Sequence, residues 1–89
     1  MEVRIDRSFQ KDTRKITDKA ILLKVAETIR DVQRADNIKQ ISYLKKLQGS
    51  KREFCIKLGD FRIGLIITKN KITFIRCLHR KDIYKYFPK

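Results

Sequence analysis

The chain has 89 residues, and its 23 lysines and arginines against 10 aspartates and glutamates give a formal net charge of +13 at pH 7. Hydrophobic residues make up 42% of it, enough for one small core, and with 3 glycines and 1 proline it is neither collagen-like nor low-complexity. The charge disfavours an ordinary small-molecule enzyme and favours a polyanionic partner such as nucleic acid, an acidic protein or a membrane surface. The length predicts a single domain over residues 1–89.

The chain is predicted to begin with a strand and a short helix. Residues 2–7 alternate between hydrophobic and charged, as a strand does when one of its faces is buried. Ser8 is a good N-cap for a helix. After it, Phe9, Thr13 and Ile16 fall at the spacing of one helical stripe, so one side of this helix is expected to pack on the core.

A second, longer helix is predicted to follow almost at once, capped by Thr17 or Asp18. Hydrophobic residues recur at helical spacing over residues 21–32, the pattern of an amphipathic helix with a wide buried stripe. Because one or two residues separate the two helices, they are expected to form an antiparallel hairpin. Residues 37–50 are interpreted as a partly helical connection to the sheet, broken by a Gly-Ser pair at 49–50.

The second half is predicted to be a three-stranded antiparallel meander with a short C-terminal helix at residues 80–87. The three strand segments, in chain order, are 54–58, 61–67 and 72–78. The Gly59-Asp60 pair between the first two is a strong signal for a two-residue hairpin. The predicted fold class is therefore α+β, a four-stranded sheet with helices packed on one face, and the exposed face is the expected working surface.

The hairpin brings two cations together. Across a two-residue turn Leu58 pairs with Phe61, and Lys57 with Arg62, so both basic side chains should project from one face, about 5 Å apart at Cβ. Like charges directly opposite each other cost stability, so this pair is mild evidence for an anionic ligand. A solvated basic sheet face is the more common explanation of such a pattern.

Other features of the sequence bear on cofactors and on the location of the protein in the cell. The N-terminus lacks the hydrophobic core of a signal peptide, and no hydrophobic run reaches about 18 residues, so a cytoplasmic protein without a membrane span is expected. Cys55 and Cys77 stand singly, and with the one histidine they offer three candidate zinc ligands. We therefore expect neither a disulfide framework nor a metal site, and no cofactor.

Three segments carry a family resemblance: LKKLQG at 44–49, EFCIKLGDFRIG at 53–64 and FIRCLHRKDIY at 74–84. They resemble the RelE/ParE superfamily of bacterial toxins of type II toxin–antitoxin systems, whose pattern is L-x-G, then a Y-R-I-R-x-G-D-Y-R-I hairpin, then H-R-x-x-V-Y. The resemblance covers nearly the whole chain, and the hairpin and terminal motifs are its specific parts. It implies a compact toxin bound in a hetero-oligomeric complex by a cognate antitoxin protein.

The superfamily that the chain resembles has two functional branches. The RelE branch enters the A site of the 70S ribosome and cleaves mRNA there, which implies an endoribonuclease acting by 2′-hydroxyl attack. The ParE branch inhibits DNA gyrase and is one alternative; a non-catalytic module that binds antitoxin or nucleic acid is another. Some ribosome-dependent members have two lysines in the strand where this chain has Cys55 and Lys57, so their two-lysine mechanism does not transfer directly, and His79 gains importance.

RNA cleavage without a metal needs a base, cations around the phosphate, and an acid for the leaving oxygen. The resemblance matches Arg62 to the phosphate-binding arginine and Tyr84 to a terminal tyrosine that stacks on or orients the substrate. Lys57, His79 and Arg80 complete the predicted catalytic set, with His79 as acid or base because its ordinary pKa is near neutrality. The predicted RNA contacts are Lys45, Lys46, Lys51, Arg52, Arg76 and Tyr86.

Overall fold

The computed structural model describes residues 1–88. Its elements are β1 (Glu2–Ile5), α1 (Arg7–Arg14), α2 (Lys19–Arg34), a 3-10 turn (Ile38–Gln40), β2 (Leu44–Lys46), β3 (Glu53–Leu58), β4 (Phe61–Thr68), β5 (Lys71–His79) and α3 (Ile83–Tyr86). The sheet order is β1-β5-β4-β3-β2; β1 runs parallel to β5, and the other neighbours are antiparallel. The α+β class is confirmed, with five strands in place of the predicted four. Across residues 1–88 every helix is too short or too polar to cross a bilayer.

The additional strand, β2, lies in the segment interpreted as a partly helical connection. A single 3-10 turn at Ile38–Gln40 is followed by Leu44–Lys46, which pairs antiparallel with β3 and sets Leu44 opposite Ile56. The outer edge of β3 offers backbone donors and acceptors that a passing segment can satisfy. Three residues are too few to show a recognisable alternation, so no local pattern predicts this strand.

The helix boundaries correct two details of the prediction. Asp6, not Ser8, caps α1: its carboxylate accepts the backbone N–H of Ser8 at 3.0 Å. The helix ends at Arg14, so residues 15–18 form a longer connection than the one or two residues expected. Asp18 caps α2 as predicted, accepting backbone N–H groups from the first turn. Helix α1 packs along β5, whereas α2 packs across β1 and β3.

Both faces of the sheet are covered to different extents. The face toward α1 and α2 carries the main core, which includes Phe9, Val25, Val32, Ile56, Ile63, Leu65, Ile72 and Phe74. The opposite face was expected to be open, but α3 packs on its centre through Ile83 and Phe87, which contact the buried Cys55. Strands β4 and β5 carry hydrophobic residues on both faces, so the second face also buries a small core. The part of this second face that stays exposed therefore lies around the edges of α3.

Strand β5 contains a bulge. Phe74 lies opposite Leu65 and Arg76 lies opposite Gly64, so Ile75 is the extra residue between two regular stretches of pairing. A one-residue insertion moves every later side chain of the strand to the other face. The bulge therefore determines on which face of the sheet each side chain of the C-terminal half of β5 lies.

Helix α1 supplies hydrogen bonds to β5 beside this bulge. Strand β1 pairs with β5 only as far as Phe74, and beyond it side chains of α1 take over. The Ser8 hydroxyl donates to the Ile75 carbonyl at 2.5 Å, and an Asp12 carboxylate oxygen accepts the Cys77 N–H at 2.9 Å. Buried backbone groups need hydrogen-bond partners. These two side chains therefore satisfy groups of β5 that a neighbouring strand would otherwise bind.

Gly64 is the point of closest contact between the sheet and the C-terminal segment. A Cβ at this position would lie 2.6 Å from the ring of Phe87. We expect Gly64→Ala to displace that ring, to lower the free energy of unfolding by about 1–3 kcal/mol and to expose Cys55. Alkylation of the native protein followed by mass spectrometry, together with urea unfolding, measures both effects.

Two internal controls accompany this substitution. Cys77 lies in the core on the helix side and should stay protected while Cys55 becomes reactive. Combining Gly64→Ala with Phe87→Leu makes room for the new methyl group and should restore part of the lost stability. Unchanged alkylation of Cys55 in Gly64→Ala would contradict the contact.

Candidate nucleic-acid interface

Lys57 and Arg62 face each other across the β3–β4 hairpin, as the sequence predicted. Directly paired residues of antiparallel strands project from the same face, here the face that also carries α3. Lys57 is exposed and Arg62 is half-buried. Among the ion pairs formed by residues 1–88, none involves either side chain. The pair thus presents two adjacent positive charges without a carboxylate to neutralise them.

The hairpin turn itself holds the guanidinium of Arg62. Gly59 has φ 61, the left-handed value that a type II′ turn requires at its first central position and that glycine adopts without strain. Arg62 Nη1 donates to the carbonyl of Gly59 at 2.6 Å and to that of Phe61 at 2.8 Å. Arginine has five N–H donors, so Nε and Nη2 remain for an anion. The side chain is anchored at one end and able to bind at the other.

Arg80 lies at the same end of the sheet. Its backbone N–H donates to the Asp60 carbonyl at 2.7 Å, and its Nε is 4.0 Å from the Asp60 carboxylate. Both side chains are well exposed, so this ion pair contributes little. We call Lys57, Arg62 and Arg80 the hairpin-tip cluster: three cations around a turn that carries one carboxylate.

His79 does not join the hairpin-tip cluster. It pairs with Phe61, and the two rings contact edge to face with centroids 5.9 Å apart, so its side chain lies on the helix side of the sheet. Regular alternation from the buried Phe74 would have put His79 beside Arg62, and the bulge at Ile75 reverses this. His79 Nδ1 accepts the Lys81 N–H at 3.1 Å, which leaves the proton of the neutral ring on Nε2.

The position at which some family members have a second lysine is buried in this structure. Cys55 shares a face with Lys57 but is covered by Ile83 and Phe87 of the C-terminal segment. Burial raises the pKa of the Cys55 thiol to about 11, so the thiol stays protonated at neutral pH. A lysine at this position would have its charge buried among hydrophobic side chains, at a high cost in free energy.

The two candidate tyrosines lie on different flanks of α3. Tyr84 is 66% exposed and Tyr86 is 49% exposed. Successive residues of a helix are about 100° apart, so these two point roughly 200° apart around the axis. Tyr86 contacts the guanidinium of Arg76, 5.4 Å from its ring centroid. Tyr84 is therefore on the flank away from Arg76.

Arg76, a predicted RNA contact, forms a two-pronged ion pair with Asp12, the most buried ion pair among residues 1–88. Its Nε is 2.7 Å from one Asp12 oxygen, and its Nη2 is 3.1 Å from the other. The hydrogen bond to Asp12 raises the pKa of Arg76 above its usual value. Asp12 was not among the predicted site residues. The available signal was its four-residue spacing from Ser8, which places both on one side of α1.

The remaining predicted RNA contacts are four cations on β2 and in the loop before β3. Lys45 and Lys46 are exposed on the edge strand β2, and their side chains point to opposite faces. Lys51 and Arg52 lie in the loop before β3, where Arg52 is 3.6 Å from the Glu53 carboxylate. This loop is at the far end of β3 from the hairpin turn, so Lys51 and Arg52 are not brought together with the hairpin-tip cluster. Lys45 lies opposite Cys55, on the face of Lys57 and diagonally next to it, so it borders the hairpin-tip cluster.

Comparison with known proteins places this fold. The chain is 32% identical over 89 residues to Toxin RelE3 of Methanocaldococcus jannaschii, across 99% of this chain and 100% of that protein. It is similar, with TM-score 0.81 and 29% identity, to a chain in a RelB–RelE antitoxin–toxin complex from Methanococcus jannaschii, over 96% of this chain and 99% of the other. The YoeB dimer from Staphylococcus aureus shares the fold at TM-score 0.71 and 15% identity, over 90% and 97% of the two chains. No protein-family model matches.

The five-stranded α+β fold is shared with a chain of an antitoxin–toxin complex, and the similar curated protein is a toxin, so the chain is in the class of small toxins of toxin–antitoxin systems. Within that class, the chain belongs to the RelE family of toxins, since identity to RelE3 extends along its whole length. The family resemblance read from the hairpin and the terminal H-R-x-x-I-Y segment is confirmed.

Proposed function

We propose that this toxin is a metal-independent endoribonuclease that cuts mRNA by attack of a ribose 2′-hydroxyl on the adjacent phosphorus. The observation that carries the proposal is the Lys57–Arg62 pair, two adjacent cations without an acidic partner among residues 1–88. Such a pair is destabilising in the unbound protein and becomes favourable when a phosphate lies between the two side chains.

The reaction needs no added reactant. A bond forms between the 2′ oxygen and phosphorus while the bond from phosphorus to the 5′ oxygen of the next nucleotide breaks. The 2′ proton is removed, and the leaving 5′ oxygen gains a proton. The products are a 2′,3′-cyclic phosphate and a 5′-hydroxyl end. Negative charge builds up on the phosphoryl oxygens in the transition state, where preorganised cations have their largest effect.

The hairpin-tip cluster supplies those cations in this proposal. Arg62 contacts the phosphate through Nε and Nη2, and Arg80 adds a second guanidinium beside the turn. The Lys57 amine, which can release a proton as a guanidinium cannot, is the candidate for the proton transfers. Tyr84 orients or stacks on the substrate from the flank of α3. His79 is outside this group because its ring lies on the other side of the sheet.

The partners follow from the charge and from the relatives. The similar chain from Methanococcus jannaschii was solved in a complex with RelB, an antitoxin. We propose that this chain is likewise bound by an acidic or amphipathic antitoxin, that its substrate is mRNA in the A site of the 70S ribosome, and that it acts in the cytoplasm. A net charge of +13 favours both polyanionic ribosomal RNA and an acidic protein segment.

The test is to incubate the purified chain with an mRNA fragment, alone and in the A site of 70S ribosomes. We expect cuts that leave a 5′-hydroxyl and a 2′,3′-cyclic phosphate, with faster cutting on the ribosome. End-specific labelling and primer extension identify the ends. Intact mRNA under both conditions, or cuts with a 5′-phosphate, would contradict the proposal.

A second candidate is a toxin that binds its target without cutting RNA. It is favoured by one observation: among the described residues, no imidazole accompanies Lys57 and Arg62 on their face, since the His79 ring lies with Phe61 on the other face. A gyrase inhibitor of this kind would leave mRNA intact and block supercoiling of relaxed plasmid DNA. The supercoiling assay, run beside the RNA assay, separates the two.

A further inference from the structure

His79 lies next to both arginines of the hairpin-tip cluster, although its ring is on the other side of the sheet. It precedes Arg80 in the chain, and it pairs with Phe61, the neighbour of Arg62 on β4. The imidazole is half-buried and contacts the Phe61 ring edge to face, with centroids 5.9 Å apart. This one side chain therefore joins the end of β5 to the start of β4.

A β-turn over residues 79–82 follows β5, and His79 closes it twice. The N–H of Asp82 donates to the His79 carbonyl at 2.8 Å. The N–H of Lys81 donates to His79 Nδ1 at 3.1 Å, so the side chain adds a second hydrogen bond within the same turn. Asparagine and aspartate make the equivalent bond to the N–H two residues on, from an oxygen that is as many bonds from the backbone as Nδ1 is.

Arg80 is a central residue of this turn, and its backbone is fixed on both sides. Its own N–H donates to the Asp60 carbonyl at 2.7 Å, and the next N–H, that of Lys81, is bound to His79. The guanidinium itself is held loosely, 4.0 Å from an Asp60 carboxylate that is well exposed. The direction in which the Arg80 side chain leaves the chain is therefore set by the turn.

We propose that His79 is a positioning residue, which holds Arg80 beside Arg62 through the acceptor Nδ1 and takes no part as acid or base. The inference rests on the proposed function, in which both guanidiniums contact the phosphate that is cut. Preorganised cations lower the barrier because they need no reorientation as negative charge builds up. Without the hydrogen bond from Lys81, the turn is looser and Arg80 is aimed at that phosphate for less of the time.

The test compares two substitutions that treat the acceptor differently. His79→Leu removes it, and should lower kcat roughly tenfold, since a misplacement of about 1 Å in an active site can cost up to 10²-fold. His79→Asn removes the imidazole but keeps an acceptor for the Lys81 N–H, so it should recover most of that loss. A histidine acting as acid or base would instead lose about 10²–10⁴ in rate in both variants.

A double-mutant cycle shows whether His79 acts through Arg80. Adding His79→Leu to Arg80→Ala should cause no further loss of rate, because a residue that acts only through another has no effect once that other is removed. The matched control uses Arg30, an exposed arginine on α2. His79→Leu should keep its full effect in the Arg30→Ala background, and thermal unfolding checks that each variant is folded.

Nuclear magnetic resonance gives a readout that does not depend on activity. The chain has one histidine, so the signals of its ring nitrogens are unambiguous. At mildly alkaline pH we expect the ring proton on Nε2, with Nδ1 free of a proton, and slower hydrogen exchange at the Lys81 amide in wild type than in His79→Leu. A proton on Nδ1 would overturn the proposal.

The outcomes separate the positioning role from the proposed function. Equal loss of cleavage in His79→Asn and His79→Leu, or additive effects of His79→Leu and Arg80→Ala, would overturn the positioning role and leave the nuclease in place. The cycle is repeated on binding of a short 2′-O-methyl RNA, which cannot be cut by 2′-hydroxyl attack. The same coupling in binding, with no cutting of unmodified RNA by wild type, would support the positioning role and reject the nuclease.

Discussion

Arg62→Ala is expected to reduce RNA cleavage at least 100-fold and to abolish growth inhibition when the toxin is expressed. Removing one preorganised donor from a developing oxyanion costs about 10²–10³ in rate in enzymes of known mechanism. Arg62 is the best-placed donor of the hairpin-tip cluster because the carbonyls of Gly59 and Phe61 fix its Nη1. Cleavage rates on ribosome-bound mRNA, with growth curves after induction, measure the effect.

Three further measurements make this result specific. Arg62→Lys keeps the charge but loses the planar fork, so it should recover only part of the activity. Arg30 is an exposed arginine on α2, away from the sheet, and Arg30→Ala should cleave as wild type does. The melting temperature of Arg62→Ala should change little, since Arg62 contacts only carbonyls of an exposed turn. Wild-type cleavage by Arg62→Ala would overturn the assignment of the hairpin tip.

Asp12→Ala is expected to lower the free energy of unfolding by roughly 2–4 kcal/mol, which is a large part of the total for a small domain. The substitution leaves the Arg76 guanidinium unpaired and the Cys77 N–H without its acceptor. Removing one partner of a fully buried pair costs about 3–5 kcal/mol; here the Arg76 side chain keeps 24% exposure, so water offsets part of the loss. Urea unfolding followed by circular dichroism measures it.

Asp12→Asn separates the contribution of the ion pair with Arg76 from that of the hydrogen bond to the Cys77 N–H. The amide oxygen can still accept the Cys77 N–H while the charge is lost, so the variant should fall between wild type and Asp12→Ala. Asp31 is an exposed carboxylate on α2, and Asp31→Ala should change stability by no more than about 0.5 kcal/mol. A loss below about 1 kcal/mol in Asp12→Ala would mean that α1 does not stabilise β5 through this residue.

Most of the fold could be read from local patterns. The Gly59-Asp60 hairpin, the register that pairs Lys57 with Arg62, and the stripe of α2 follow from turn chemistry and hydrophobic periodicity. Strand β2 could not be read, because a three-residue edge strand forms only when a neighbouring edge is there to pair with. The start of α1 differed because both Asp6 and Ser8 can cap a helix.

The candidate site was less accessible to prediction. Sequence alone placed Arg62 and Arg80 at the end of the sheet where the structure has them, and the pairing of Lys57 with Arg62 follows from two-residue hairpin geometry. It could not show that Cys55 and the centre of that face lie beneath α3, because this depends on where Phe87 meets Gly64. Asp12 and Arg76 are 64 residues apart in the chain, and nothing local links them.

The sequence by itself determined the RelE-like fold, the strongly positive charge and the two cations that face each other across the hairpin. The tertiary structure decided which side of the sheet receives His79 and Arg76. Side-chain direction in a strand depends on the count of residues between paired positions, and the extra residue at Ile75 changes that count. Ser8 and Asp12 bind β5 beside the bulge from a helix that is distant in the sequence, so the outcome appears only when the chain is folded.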